Sequence, residues 1–187
     1  MSSHHIVREK QEPALYIHQL GAFNEEYLGQ LLEWSPMLIV SASTYEKVIS
    51  LGLKVDIVVN ASPDLVVQEN TKHIGGNVDD LQVVLEYLVH EKYPALNIIN
   101  ADEEISDFSH YIEDINIVLF SLTDKAYAVK SGFKVWKPAG HTFKIEVVSY
   151  FEASNLEFDG VGEFVVVKDG FVEFTFTTPY LFISEPL

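Results

Sequence analysis

The sequence predicts an α/β plus all-β chain: an N-terminal, mainly parallel α/β sheet domain over residues 1–115, then a C-terminal antiparallel β-sandwich-like domain over residues 116–187. From Ala14 to Ser109 short apolar runs alternate with amphipathic stretches, the rhythm of parallel strands covered by helices. From Asn116 onward the helical period disappears and β-rich runs follow one another between turn residues. Asp169-Gly170, with apolar alternation on both sides, reads as the turn of a β-hairpin.

Ala14–His18 is short and apolar, a first strand. Asn24–Trp34 places Tyr27, Leu28, Leu31 and Leu32 at helical spacing, with Asn24 as its N-cap. Met37–Val40 follows Pro36 as a buried strand, and Thr44–Leu51 returns to helical spacing until Gly52 stops it. Asp56–Val59 is the next strand. Asp79–His90 is the clearest helix, with Leu81, Val84, Leu85 and Leu88 on one face, and Asn97–Ile99 is the strand after it. In the second half Asn116–Leu122, Ala126–Lys130, Phe133–Lys137 and Thr142–Phe151 read as strands, and Glu163–Val167 with Phe171–Thr177 as the hairpin.

At 187 residues and 48 % apolar content the chain can bury a core of its own, which excludes wholesale disorder. No apolar run approaches the roughly eighteen residues of a spanning helix. The opening Met1-Ser2-Ser3-His4-His5 lacks the basic-then-apolar form of a secretory signal, so a cytoplasmic location is expected. Twelve Lys and Arg against 28 Asp and Glu give a formal charge of −16. Such a surface repels polyanions and anionic lipid, so neither a nucleic-acid nor a membrane partner is expected. With no cysteine, thiolate chemistry, thiolate zinc sites and disulfides are excluded.

Several segments match a known family in order and spacing. Leu51-Gly52-Leu53-Lys54-Val55-Asp56, then Ile57-Val58-Val59, fits an "elGikPD"-plus-strand pattern. Asp79-Asp80-Leu81-Gln82 fits a Thr-Asp-Thr-Glu helix start, and Leu96–Ala101 fits the strand before Gly-Gly-Arg-Leu-Asp-His. Asn155-Leu156-Glu157-Phe158 and Val165–Glu173 are similar to a Gly-Leu-Lys-Tyr segment and a closing hairpin. From Ala14 to Thr177 the chain thereby resembles the thiamine pyrophosphokinases. That resemblance implies an α/β nucleotide-binding half, an all-β half that helps bind thiamine, and a homodimer. It also implies transfer of a pyrophosphoryl group from ATP to thiamine, giving thiamine diphosphate and AMP, with Mg²⁺ held by carboxylates.

Carried across position by position, the metal-binding motifs are degraded. The family's Asp-Gly-Gly-Ala falls on Ala42-Ser43-Thr44-Tyr45, and its Gly-Asp-Phe-Asp-Ser on Asn60-Ala61-Ser62-Pro63-Asp64. Ala61 and Pro63 stand where two metal-binding aspartates are expected, and Asp64 is displaced by one residue. Asp80 and Asp107 remain as substrate or nucleotide positions, although Ile105 and Phe108 replace the Arg and His around Asp107. The candidate metal ligands are therefore Asp64 and Asp80, serving Mg²⁺ and ATP if the chain is active; no catalytic residue is assigned.

Two other groups have both a functional and a bland reading. Asp102-Glu103-Glu104 with Asp107 and His110 follows a strand end, where it would hold Mg²⁺ or Ca²⁺ or else simply solvate a loop entering a helix. His73-Ile74-Gly75-Gly76-Asn77 precedes the best helix, as a phosphate cradle or a plain turn. Phe143, Tyr150, Phe151, Phe164, Phe171, Phe174 and Phe176 fall at strand spacing, as core or dimer interface. Ser62 and Ser154 lack a nucleophile elbow. Two functions follow: a thiamine pyrophosphokinase-family protein with activity impaired or lost, or a non-catalytic homodimer that binds a small molecule or another protein on the same scaffold.

Overall fold

In the computed structural model, residues 12–101, 107–145 and 150–187 are described. They are mostly strand, with three α-helices among the described residues. The chain divides between Leu122 and Thr123 into two compact units.

The first unit contains β1 (Ala14–Gln19), α1 (Glu25–Leu32), β2 (Leu38–Ser41), α2 (Tyr45–Ser50), β3 (Ile57–Val59), β4 (Lys72–Ile74), α3 (Asp80–His90), β5 (Ala95–Asn100), a 3₁₀ turn at Ser109–Tyr111, and β6 (Asn116–Phe120). Its strands run in the order β6-β5-β1-β2-β3-β4, and each neighbouring pair is parallel. α1 starts where Asn24 Oδ1 accepts from the N–H groups of Glu26 and Tyr27, at 2.8 and 3.2 Å. Asp79 caps α3 in the same way through the Gln82 N–H at 3.1 Å. Leu81, Val84, Leu85 and Leu88 of α3 then pack on Tyr16, Ile39, Ile57, Leu96 and Ile98 of the sheet. Leu15, Ile17, Val40 and Val58 alternate with these and are equally buried, as a parallel sheet covered on both faces requires. Each such side chain contributes about 1.5–3 kcal/mol on burial.

The second unit contains β7 (Asp124–Val129), β8 (Lys134–Lys137), β9 (Thr142–Ile145), β10 (Phe151–Ala153), β11 (Leu156–Phe158), β12 (Phe164–Val166), β13 (Gly170–Phe176) and β14 (Leu181–Pro186). One antiparallel set runs β11-β12-β9-β14-β7, and a second runs β10-β13-β8. A single core draws on both, with Phe143 and Ile183 from the first set and Val172, Phe174 and Phe176 from the second.

Four expectations change. Asn116–Phe120 pairs in parallel with β5, so it extends the first unit, and the break in the chain falls after Leu122 and not after residue 115. Its run of apolar residues is the mark of a strand buried in a parallel sheet, which composition alone does not separate from an antiparallel one. Glu163–Val167 and Phe171–Thr177 are not a hairpin: β12 pairs with β11 and β9, whereas β13 pairs with β10 and β8. Asn155 grips the connection between them, accepting from the Lys168 N–H and donating to its carbonyl, while Asp169 Oδ1 accepts from the Ala139 N–H at 2.8 Å. Within Thr142–Phe151, Thr142–Ile145 pairs with β12 and β14 whereas Phe151 opens a strand that pairs with β13, and residues 146–149 lie outside the described residues. His73 and Ile74, read with Gly75-Gly76-Asn77 as a phosphate cradle or a plain turn, belong to the strand β4 (Lys72–Ile74).

Candidate functional site

In open parallel sheets ligands gather beyond the carboxyl ends of the strands, most often where the strand order reverses. Here the chain runs from β1 outward through β2, β3 and β4, then returns to β5 on the other side of β1. At that reversal the Ala101 N–H donates to the Gln19 carbonyl at 2.8 Å. Gly21, at φ +49°, lies so close to Ala101 that a Cβ on it would collide with the Ala101 side chain. The Lys47 ammonium donates to the Gly21 carbonyl and ties α2 to the same loop.

The end of β1 carries a partly buried polar chain. Tyr16 is fully buried, and its hydroxyl lies 2.8 Å from His18 Nδ1. Burial, followed by the nearby charges of Asp80 and Asp79, pushes the Tyr16 phenol well above its ordinary range, so it stays protonated. Which of the two groups donates in this bond follows from the His18 tautomer. The His18 carbonyl accepts from Ser41 Oγ and Thr44 Oγ1, both at 2.8 Å, and Ser41 Oγ lies 3.1 Å from Ser43 Oγ. Ala42-Ser43-Thr44-Tyr45 thus offers hydroxyls where the family pattern has a carboxylate and glycines. Tyr45 is fully buried and its hydroxyl accepts from the Gln68 N–H at 2.7 Å, anchoring the loop after β3.

Asn60, the first residue beyond β3, is the centre of the remaining geometry. Its φ is +48°, a left-handed conformation that asparagine tolerates better than most residues. Its Oδ1 accepts from the Gly76 N–H at 3.0 Å, and its Nδ2 donates to Asp80 Oδ1 at 2.8 Å and to the Val78 carbonyl at 3.3 Å. A Cβ on Gly75 would approach Asn60 Oδ1 to 3.0 Å, so glycine there lets the amide settle. One side chain therefore joins β3, the Gly75-Gly76 loop and the start of α3. Asn60, Ala61, His73, Ile74, Gly75 and Gly76 line an open cleft of about 480 Å³.

The predicted site residues fall as follows. Asp80 is the first residue of α3, with Oδ1 engaged by Asn60. Asp64 is exposed in the loop between β3 and β4, its N–H 3.4 Å from Ser62 Oγ. Asp107 is exposed and caps the 3₁₀ turn, accepting from the Ser109 N–H at 2.8 Å and the Ser109 hydroxyl at 3.1 Å. The Ser109 N–H, more than any other group, holds the Asp107 carboxyl below its ordinary value. Asp102, Glu103 and Glu104 lie outside the described residues.

Mg²⁺ takes carboxylate oxygens in a near-octahedral set. Among the described residues no three carboxylate or imidazole side chains gather to hold a metal by themselves, and one oxygen of Asp80 already accepts an amide proton. Asp80 would hold Mg²⁺ only through its other oxygen, with a substrate's phosphates completing the set. Asn60 and the Tyr16–His18 pair escaped the sequence reading. The available signal was an asparagine in a glycine position directly after a strand, since both residues admit positive φ.

No protein-family model matches this sequence, and no curated protein does. Solved structures are similar over nearly the whole chain. Thiamine pyrophosphokinase from Bacillus subtilis superposes with a TM-score of 0.65 at 9 % identity, over 94 % of this chain and 99 % of that one. The yeast thiamin pyrophosphokinase gives 0.67 at 9 % identity, over 97 % and 88 %. The Candida albicans enzyme gives 0.62 at 10 % identity, over 94 % and 89 %. At such identities the likeness is one of backbone: this chain has the fold of the thiamine pyrophosphokinases.

Proposed function

We propose that the chain is a divergent thiamine pyrophosphokinase-family protein that has lost metal-dependent pyrophosphoryl transfer and serves as a cytoplasmic, homodimeric small-molecule-binding protein. In this reading the first unit descends from a nucleotide-binding half, and the second is a sandwich-like descendant of the thiamine-binding half. The observation that carries it is Asn60, whose amide occupies Asp80 and spans to Gly76 at the edge where a metal-bound phosphate would need carboxylates. The replacements at Ala61 and Pro63 act in the same direction. Electrostatics add to this: residues 1–122 hold six Lys and Arg against nineteen Asp and Glu, a net of −13 that repels an ATP polyanion. What the edge does offer is hydroxyl, amide and imidazole groups, suited to an uncharged or cationic ligand such as thiamine.

Thermal unfolding with Mg-ATP, with thiamine and with both, followed by an assay for AMP, tests this reading. A ligand that binds only the folded state raises the midpoint by mass action. The expected result is no AMP and no shift with Mg-ATP; a shift with thiamine alone would name the retained ligand. AMP release would sink the reading and mean that the Asn60–Asp64 loop reorganises around Asp64 in an active kinase.

A further inference from the structure

A separate polar cluster closes one end of the second unit's core and plays no part in the reading above. Glu185 follows Leu181 and Ile183 on the inward side of β14, and its side chain is only 3 % exposed. Its Oε1 accepts from the Tyr127 hydroxyl at 3.0 Å and lies 3.3 Å from Lys125 Nζ. Its Oε2 lies 2.8 Å from His141 Nε2 and is bound by the Lys137 ammonium. Those four partners fill the acceptor directions of one carboxylate.

The cluster is over-supplied with positive charge. One carboxylate neutralises one cation, yet two ammonium groups and an imidazole converge on it, leaving one positive charge with His141 neutral and two with it protonated. Elsewhere in the unit Lys134 pairs with Glu173 and Lys144 with Asp124. Neither Lys125 nor Lys137 has a second carboxylate in ion-pair range among the described residues. Each ammonium carries three donors and spends one on Glu185. The side chains of Lys125, Lys137 and His141 remain 37, 16 and 19 % exposed, and the Lys137 ammonium also lies 5.7 Å from the centre of the Phe143 ring. Holding a second lysine still costs side-chain entropy that satisfying Glu185 alone does not require.

We propose that Lys125, Lys137 and His141 form a phosphate-binding site, with Glu185 as the positioning residue that holds the three donors together. A phosphate group, with a charge of about −1.5 to −2 at neutral pH and three acceptor oxygens, matches both the surplus charge and the number of donors. The inference is independent of the ligand of the first unit.

The full chain is titrated with inorganic phosphate against sodium chloride at equal ionic strength, following the His141 imidazole by NMR and the thermal midpoint. A saturable His141 shift with a raised midpoint is expected for phosphate only. Lys125→Met leaves Glu185 its contacts with Lys137, His141 and Tyr127, and should weaken phosphate binding about tenfold through loss of one charge-assisted contact. A phosphate response no larger than that of chloride overturns the site, with no variant needed. Unchanged affinity in a folded Lys125→Met chain does the same. Glycerol phosphate, run in parallel, separates the sources: tighter binding of the ester assigns the site to a phosphorylated ligand, and tighter binding of inorganic phosphate assigns it to the free ion.

Discussion

Asn60 shows how much one side chain decides at the edge of the parallel sheet. Its left-handed backbone costs of order 1 kcal/mol or more in a residue other than glycine, and its amide recovers this by bonding Gly76, Val78 and Asp80. Asn60→Ala keeps the backbone cost and removes the bonds, so it should destabilise the chain by about 1–3 kcal/mol. Asn60→Gly removes both, so its loss should be clearly smaller. Urea unfolding of the two variants checks the ordering, and equal losses would mean that the left-handed backbone is not held by the amide. The comparison also separates two readings of this position, because a glycine equivalent to the family's would need no side-chain support at all.

At the scale of elements, the same kind of contrast lies within β13. Val172, Phe174 and Phe176 face the core, while Phe171, Glu173 and Thr175 face outward. Phe174 packs at 5.8 Å edge-on to Phe143 and at 6.3 Å stacked on Phe133. Phe174→Ala should cost about 3–5 kcal/mol. Phe171 is 56 % exposed and pairs across the strands with Trp136, so Phe171→Ala should cost no more than about 1 kcal/mol. Chemical denaturation of both distinguishes them, and comparable losses would contradict the inward and outward assignment. The period of two marks a strand in the sequence, but Phe171, grouped there with Phe174 and Phe176 as core or dimer interface, lies on the outward face. The helices were legible too, since Asn24 and Asp79 announce their starts and α3 shows an unbroken apolar face. Strand partners were not. β6 and β12 are short apolar runs that do not name their partners, β5 for the one and both β11 and β9 for the other, and Asp169-Gly170 looks like a hairpin turn until Asn155 and Ala139 are seen to hold it as a crossing between two sheets. β4 was missed for a related reason: Lys72 and His73 are exposed, so the strand exists by its pairing with β3 and carries no apolar signature. At the candidate site the losses at Ala61 and Pro63 were readable from the sequence, whereas the bond from Asn60 to Asp80 joins residues brought together only by the fold.

For the whole molecule, charge is distributed unevenly, and that sets its response to pH. The second unit holds six lysines against nine carboxylates, a net of −3, so the −16 of the chain lies mostly in the first. Acid relieves repulsion among the crowded carboxylates of the first unit, while in the second it attacks Glu185. Burial alone would push the Glu185 carboxyl up. The Lys137 hydrogen bond, the charges of Lys125 and Lys137, and the Tyr127 hydroxyl outweigh it and hold the group below its ordinary value of 4.5. A carboxyl depressed in the folded state contributes stability that is present above its unfolded value and is lost as pH falls through the folded one. The second unit should therefore lose stability below about pH 4.5, and Glu185→Gln should remove much of that dependence. At neutral pH the same variant should be destabilised by about 3–5 kcal/mol, since two ammonium groups lose the carboxylate they share. Asp159 is the control. Its carboxyl is also held low, first by the Val161 N–H and then by those of Glu163 and Gly162, but it is fully exposed in the turn between β11 and β12. Asp159→Asn should leave the acid limb of a midpoint-against-pH curve unchanged in slope. If Glu185→Gln tracks the parent chain across that limb, the buried cluster is not what ties the second unit's two sheets together in acid, and the first unit's carboxylates govern the whole response.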